Sequence, residues 1–329
     1  MSTIYDVSAR AGVSPATVSR VFNGHPVSKE KQRRVTAAAQ ELGFVPSRAA
    51  RALRRNSSEV IALIIPDIEN PFFAMLARGV EDCAQDAGFS VVLCNTDDDS
   101  AKETRYFDIA NAENMAGVIL APSPECGDLE RLIQAGRPVV AVDRATEVDV
   151  DAVVIDNRAA GTAATAALFD QGYRRVACIA GPKDIEDTEE RQLAWRAVVT
   201  SRTGSPPEPG LLQHGNYRVD QGRTAMSALL ELAEPPDAVL TTNNLMGVGA
   251  LQVLHEAGLT PPGFGVAVIG ELPFPTVSPD VITQVQLPVR QLGRTAATML
   301  IERINCDPQP ARTVVLRGVL KAADTVNRS

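Results

Sequence analysis

Asp97, Asp98 and Asp99 form the most conspicuous run of possible metal ligands in this 329-residue chain. They precede Ser100-Ala-Lys-Glu103, which reads as a capping box, so a solvated, dipole-stabilised helix start accounts for them better than a cation site. The three histidines, His25, His214 and His255, are scattered. The five cysteines, Cys83, Cys94, Cys126, Cys178 and Cys306, are odd in number and form no Cys-x-x-Cys pair. Four of them lie in or beside apolar runs, so buried free thiols in a reducing compartment are expected rather than disulfides or zinc. Gly247-Val-Gly249-Ala-Leu-Gln252 lacks the third glycine of a dinucleotide fingerprint and falls inside a helical pattern. No Gly-x-Ser-x-Gly, His-Glu-x-x-His or phosphate-binding loop occurs. The sequence therefore predicts no catalytic residue, no metal and no cofactor.

Recognition is the chemistry the sequence does support. From Asp6 to Asn23 the chain reads as two short helices with a tight turn. Val7 and Ala11 are four apart, as are Thr17 and Val21, so each helix shows one small apolar face. Gly12 suits a turn position needing positive φ. Ser14 can cap the second helix, with Pro15 at its first position, where no backbone N–H is required. This is the spacing of a helix-turn-helix, whose second helix enters the DNA major groove, although any small helical hairpin shares it.

Charge helps to decide between the two. The whole chain carries a net −8, yet residues 1–55 hold ten Lys/Arg against three Asp/Glu, a local +7 that leaves −15 for the remainder. A basic head on an acidic body fits a DNA-binding module joined to a body that does not bind DNA. Ser28 caps a third helix, Lys29 to Leu42, with Val35, Ala38, Ala39 and Leu42 as its apolar stripe. Lys31, Arg33 and Arg34 lie off that stripe, where they could approach phosphates. Gly43 and Pro46 end the helix. Ser47 to Arg55 then has helix propensity but a poor apolar face, and is too short to be stable alone in water.

From Val60 the texture becomes alternating strands and helices. Apolar runs at Val60–Ile65, Ser90–Cys94, Gly117–Ala121, Pro138–Val142, Ala152–Ile155, Arg175–Ala180, Ala238–Thr242, Val266–Gly270 and Ile282–Val285 predict strands. Helical patterns separate most of them. Such runs, joined by helices, mean parallel sheets covered on both faces. Nine or more units exceed one ordinary open sheet, so two α/β lobes are expected, with a ligand cleft at the carboxyl ends of their strands. No apolar run approaches the roughly 18–20 residues of a membrane span. Met1 to Asp6 lacks the basic and apolar regions of a signal peptide, so a cytoplasmic location is expected and no membrane partner.

From Thr3 to about Ala323 the chain resembles the LacI/GalR family of bacterial transcription regulators. Ile4-Tyr5-Asp6-Val7, Ala11-Gly12-Val13-Ser14, Thr17-Val18-Ser19-Arg20-Val21 and Asn23 match its helix-turn-helix signature, with Ser8 in place of the usual alanine. Leu42-Gly43-Phe44-Val45-Pro46 and Ala50-Arg51-Ala52-Leu53 match its third helix and hinge. Asn70-Pro71-Phe72-Phe73, Val142-Asp143-Arg144, Asp156-Asn157, Gly181-Pro182 and Thr242-Asn243 match its effector domain in order and spacing. The resemblance implies a homodimeric repressor with a periplasmic-binding-protein type I-like core that binds palindromic operator DNA. It places the helix-turn-helix domain at 1–46, a hinge helix and linker at 47–59 and the effector and dimerisation core at 60–329. Within the core, lobe one spans about 60–157 plus 289–320, and lobe two about 161–286 plus 321–329. The chain crosses between lobes near Asp156–Gly161, near Leu287–Val289 and close to Leu320.

The resemblance also assigns roles. Pro15, Ala16 and Arg20 face base edges, and Arg20 can donate two hydrogen bonds to guanine. Thr17, Ser19 and Asn23 position the helix on the backbone. Arg33 and Arg51 are further DNA contacts. Leu53 wedges between base pairs in the minor groove with Arg54 beside it, kinking the duplex. In the cleft, Asn70, Phe72, Phe73, Asp143, Arg144, Arg191, Tyr217 and Asn243 form the candidate effector wall, suited to a sugar-like or ring-bearing metabolite. The chain departs from the family at Gly270-Glu271-Leu272-Pro273-Phe274, where Gly-aromatic-Asp-Asp is usual. Glu271 replaces the missing carboxylate or that contact is lost. No leucine heptad follows the last apolar run, Thr313–Leu320, which favours a dimer over a tetramer. The alternative class is a solute-binding protein using the same core fold without DNA regulation.

Overall fold

Gly12 has a left-handed φ of 60° and ends helix α1 (Ile4–Ala11). Thr3 and Asp6 close a capping box at the helix start, each satisfying a backbone N–H of the other. Ser14 Oγ accepts the Thr17 N–H at 3.2 Å and caps α2 (Pro15–Phe22), and Ser28 caps α3 (Lys29–Glu41). Val7, Ala11, Val18, Val35, Ala38 and Ala39 form the buried centre of this three-helix unit. Phe22 and Phe44 close it with ring centroids 5.7 Å apart. Of the expected Thr17–Val21 face of α2, Val21 packs half-buried against this centre. Val18 is the fully buried residue, while Thr17 spends its hydroxyl on Ser14 Oγ at 3.0 Å.

The computed structural model describes residues 2–22, 26–44, 58–183, 185–272, 281–306 and 309–323. Asn23, Arg51, Leu53 and Arg54, and with them most of the expected hinge, lie outside these. The chain divides into two compact units at residues 58 and 59, and the second is built from two six-stranded sheets.

In the first lobe β1 (Val60–Ile65) leads through α4 (Pro71–Asp86) to β2 (Ser90–Asn95), then α5 (Ser100–Ala112), β3 (Gly117–Leu120), α6 (Glu130–Gln134), β4 (Val139–Asp143) and β5 (Asp151–Ile155). The chain crosses at Asp156 into α7 (Asn157–Asp170). The second lobe continues with β6 (Val176–Ala180), α8 (Glu186–Thr203), β7 (Leu212–His214), α9 (Val219–Leu230), β8 (Ala238–Thr241), α10 (Asn244–Glu256), β9 (Gly265–Ile269) and β10 (Thr283–Gln286). It crosses back into α11 (Val289–Ile304) and β11 (Thr313–Leu316), and ends on β12 (Val319–Lys321). The sheet orders are β11-β5-β4-β3-β1-β2 and β12-β10-β9-β8-β6-β7. Every pairing is parallel except β12 on β10. Ile61 to Ile65 are all buried, as unbroken apolar runs in two-sided parallel sheets must be.

Four expectations are corrected here. The run Thr313–Leu320 is two strands, and Leu320 pairs with Val285 of the second sheet. The third crossing therefore falls at Arg317–Gly318, and Val319 and Leu320 belong to the second lobe. The cap of α5 is Asp99, whose Oδ1 accepts the Ala101 and Lys102 N–H groups at 2.8 and 3.1 Å. Glu103 is buried instead, and accepts from the Ser123 and Gly127 N–H groups, each at 2.8 Å. Cys94 and Cys178 are buried, whereas Cys126 and Cys306 are exposed; all five thiols are free.

Gly249, part of the near-miss dinucleotide motif, has a packing role. A Cβ there would lie 2.1 Å from the Val219 carbonyl, so α9 and α10 approach only because it is absent. Gly79 stands in the same relation to the Arg290 carbonyl between α4 and α11.

Candidate functional site

A cavity of about 230 Å³ lies between the two lobes at the carboxyl ends of their strands. All nine effector candidates line it: Asn70, Phe72, Phe73, Asp143, Arg144, Arg191, Tyr217, Asn243 and Glu271. The fold explains why. The β1–α4 connection brings in Asn70, whose Oδ1 caps α4 by accepting the Phe72 N–H at 3.1 Å, and the two phenylalanines pack edge to face behind it. Asp143 ends β4, and Arg144 follows it. Asn243 caps α10 through the Met246 N–H at 2.8 Å, while its Nδ2 donates to the Tyr217 carbonyl at 3.2 Å. Glu271 lies at the exposed edge, and its carbonyl accepts from Asn244 Nδ2 at 3.2 Å.

The buried charges are interlocked. Arg144 Nη1 reaches Asp98 Oδ1 and the Pro122 carbonyl, both at 2.9 Å. Arg191 is fixed by Asn157 Oδ1 at 2.9 Å and by the Thr242 carbonyl at 2.6 Å, with Asp187 3.8 Å away. Tyr217 Oη donates to Asp187 at 3.2 Å and is hydrogen-bonded to Thr188 Oγ1. Among the described residues no donor reaches the Asp143 carboxylate, which is 7% exposed and faces the cavity. Burial, with Asp187 as the next cause, pushes its carboxyl up to about 6 against the pull of Arg144 and Arg191. Burial also opposes the charge of Arg144, but Asp143, Asp98 and Asp187 outweigh it and hold that guanidinium above its ordinary value. Burial, then Asp187, holds the Tyr217 phenol above its ordinary range.

Backbone strain concentrates at the same place. Asp97, Asp98, Asp143 and Tyr217 all have left-handed φ, between 56° and 68°, and all line the cavity. Each such non-glycine residue costs on the order of 1–3 kcal/mol and persists where surrounding structure fixes it. Asp98 and Asp187 were not expected in the wall. The aspartate run read as a helix start, which is true of Asp99 alone. Asp187 precedes Arg191 by one helical turn, a spacing that could have suggested it. Among the described residues no group of three or more His, Cys, Asp and Glu side chains is placed to hold a metal ion.

In the helical unit Pro15, Ala16 and Arg20 are exposed, Thr17 and Ser19 half-buried, and together with Ile4, Tyr5 and Ser14 they line one shallow groove. Among the described residues nothing pairs with the Arg20 guanidinium. Arg33 lies apart, in a depression on α3 with Lys29, Gln32, Thr36, Ala37 and Gln40. Arg34 Nη2 donates to the Gly12 carbonyl at 3.1 Å and ties α3 to the turn.

Residues 3–47 match the family model described as bacterial regulatory proteins, lacI family. Residues 58–322 match that of periplasmic binding proteins and the sugar binding domain of the LacI family. The chain is 35% identical to the ribose operon repressor of Halalkalibacterium halodurans over 94% of this chain and 92% of that one. It is 31% identical to the HTH-type transcriptional repressor CytR of Escherichia coli, over 92% and 90%. Among solved structures, a transcriptional regulator CelR–cellobiose complex superposes with a TM-score of 0.72 at 30% identity, covering 98% of each chain.

Proposed function

The chain belongs to the lacI family of bacterial regulatory proteins, and from that premise we propose that it is a homodimeric, cytoplasmic repressor whose affinity for a palindromic operator is set by a small hydroxylated metabolite in the inter-lobe cleft. The observation that carries the reading is the cleft itself. Its buried wall offers carboxylates and guanidiniums at fixed positions, which suit bidentate hydrogen bonding to adjacent hydroxyls, and Phe72 offers an apolar face to a ring. At about 230 Å³ the cavity is below the roughly 300–1,000 Å³ of typical ligand pockets. That size fits a monosaccharide or a nucleoside sugar better than an oligosaccharide. The ribose named in one relative and the cellobiose held by another support a sugar-related ligand.

DNA recognition is assigned to the groove on α2. Arg20 supplies the polar base contact, Pro15 and Ala16 apolar contact, and Thr17 and Ser19 the backbone contacts that fix register. Asn23, Arg51, Leu53 and Arg54 complete the interface by family resemblance, and Arg33 supplies a phosphate contact from α3. The division into helix-turn-helix 1–46, hinge 47–59 and core 60–329 is part of the same proposal. Thermal-shift screening of the full chain against D-ribose, other monosaccharides and nucleosides tests it. One of these probes should raise Tm, and the same probe should change the affinity for an operator selected from random duplex DNA.

A further inference from the structure

Two loops from opposite lobes meet at the mouth of the cleft. Arg218, at the start of α9 in the second lobe, places Nη2 3.1 Å from Asp67 Oδ2 and Nη1 2.5 Å from Glu69 Oε2. Asp67 and Glu69 lie in the β1–α4 connection of the first lobe. Among the described residues no other side-chain hydrogen bond or ion pair spans the mouth from lobe to lobe.

Both sides of this contact are built before they meet. On the acidic side Asp67 Oδ1 accepts the Glu69 N–H at 2.9 Å, and Asn95 Oδ1 accepts the Ile68 N–H at 2.7 Å. The Asp67 carbonyl accepts the Asn70 N–H at 3.3 Å, so the turn that presents the two carboxylates also sets Asn70 in the cleft wall. On the basic side the Arg218 N–H donates to Asn216 Oδ1 at 3.2 Å. The left-handed Tyr217 beside it puts its ring into the cavity while Arg218 stays 40% exposed at the rim. Asp97 and Asp220 add negative charge around the same guanidinium.

We propose that Arg218, Asp67 and Glu69 form an electrostatic latch that holds the two lobes together over the cleft. Entry and exit of any ligand then require the latch to open. The three crossings between lobes lie at the β11–β5 and β12–β10 edges of the two sheets, and the latch acts toward the opposite edge, beside β1 and β7, where a small force has the longest lever. Exposed pairs are individually weak, and a guanidinium bridging two carboxylates shifts the closed population by a factor of about three to five. The latch concerns the regulation of the proposed effector cleft, but its test needs no effector.

The test is hydrogen–deuterium exchange of the full chain without ligand, read in peptides covering residues 66–73 and 214–222. Glu69→Arg and Arg218→Glu each set like charges against one another, and each should raise exchange in both segments about three- to fivefold. The double variant Glu69→Arg/Arg218→Glu should return most of that protection. Raising NaCl from 50 to 500 mM should loosen the wild type and leave Arg218→Gln unchanged. Single variants that exchange like wild type, or a double variant as open as the singles, would overturn the latch. Wild-type exchange that ignores salt would do the same.

Discussion

The Tyr217 hydroxyl donates to the Asp187 carboxylate at 3.2 Å, joining the loop before α9 to the first turn of α8. Gly181 makes this possible, because a Cβ there would lie 2.2 Å from the Tyr217 ring. The bond sits one helical turn from Arg191, so Tyr217, Asp187 and Arg191 form one rigid corner of the cavity. Such a corner is positioned before any ligand arrives, and this spares the ligand the cost of ordering it. Tyr217→Phe keeps the ring but leaves a buried carboxylate short of a donor. The substitution should cost about 1–3 kcal/mol of stability. A Tm equal to wild type would show that the hydroxyl supports nothing.

Asp143 gives the core a defined pH response. Its carboxyl stands at about 6 in the folded protein against an ordinary 3.8, so between those values the native state holds a proton that the unfolded chain has released. The associated stability is complete below about pH 4 and is lost as pH rises through 6. Asp143→Asn removes the penalty of the buried charge. Its Tm should therefore exceed that of wild type by about 4–8 °C more at pH 7.5 than at pH 4.5, from a penalty on the order of 2–3 kcal/mol. Equal differences at the two pH values would refute the assignment.

Arg20, in the groove on α2, is the proposed polar base reader. Losing a bidentate guanine contact removes roughly 1–3 kcal/mol of discrimination. Arg20→Ala should weaken selected-operator binding about 5- to 150-fold and narrow the gap to random DNA. Binding that weakens equally on both duplexes would instead make Arg20 a phosphate contact.

Gly249 tests the packing account of a motif that superficially resembles a cofactor loop. Gly249→Ala drives a methyl group to within 2.1 Å of the Val219 carbonyl. It should destabilise the core by about 1–3 kcal/mol, measured by denaturant melt. A fully stable variant would remove the close-crossing argument.

Much of this arrangement was legible in the residues. Val60–Ile65 and the other apolar runs marked the parallel strands, because buried strands carry no polar alternation, and Gly12, Ser14 and Ser28 marked helix ends through local hydrogen bonding. The nine cleft candidates came together because strand ends converge at one edge of such sheets. What stayed hidden depended on distant partners. Glu103 looked like a cap because its true partners, Ser123 and Gly127, lie about twenty residues further on. Asp98 looked solvated because its pairing with Arg144 crosses two sheet connections. Arg218 carried no signal at all, since Asp67 and Glu69 face it only once both lobes have folded.

Occupancy of the cleft is proposed to set DNA affinity. The most direct measurement is the operator affinity of the full chain, by fluorescence anisotropy, with and without the monosaccharide or nucleoside that raises its Tm. Arg191→Ala, which removes the anchor to Asn157 and the Thr242 carbonyl, serves as the matched control. An affinity change of about fivefold or more is expected in the wild type and none in Arg191→Ala, which should still bind DNA. A probe that binds the wild-type cleft yet leaves operator affinity unchanged would contradict the proposal.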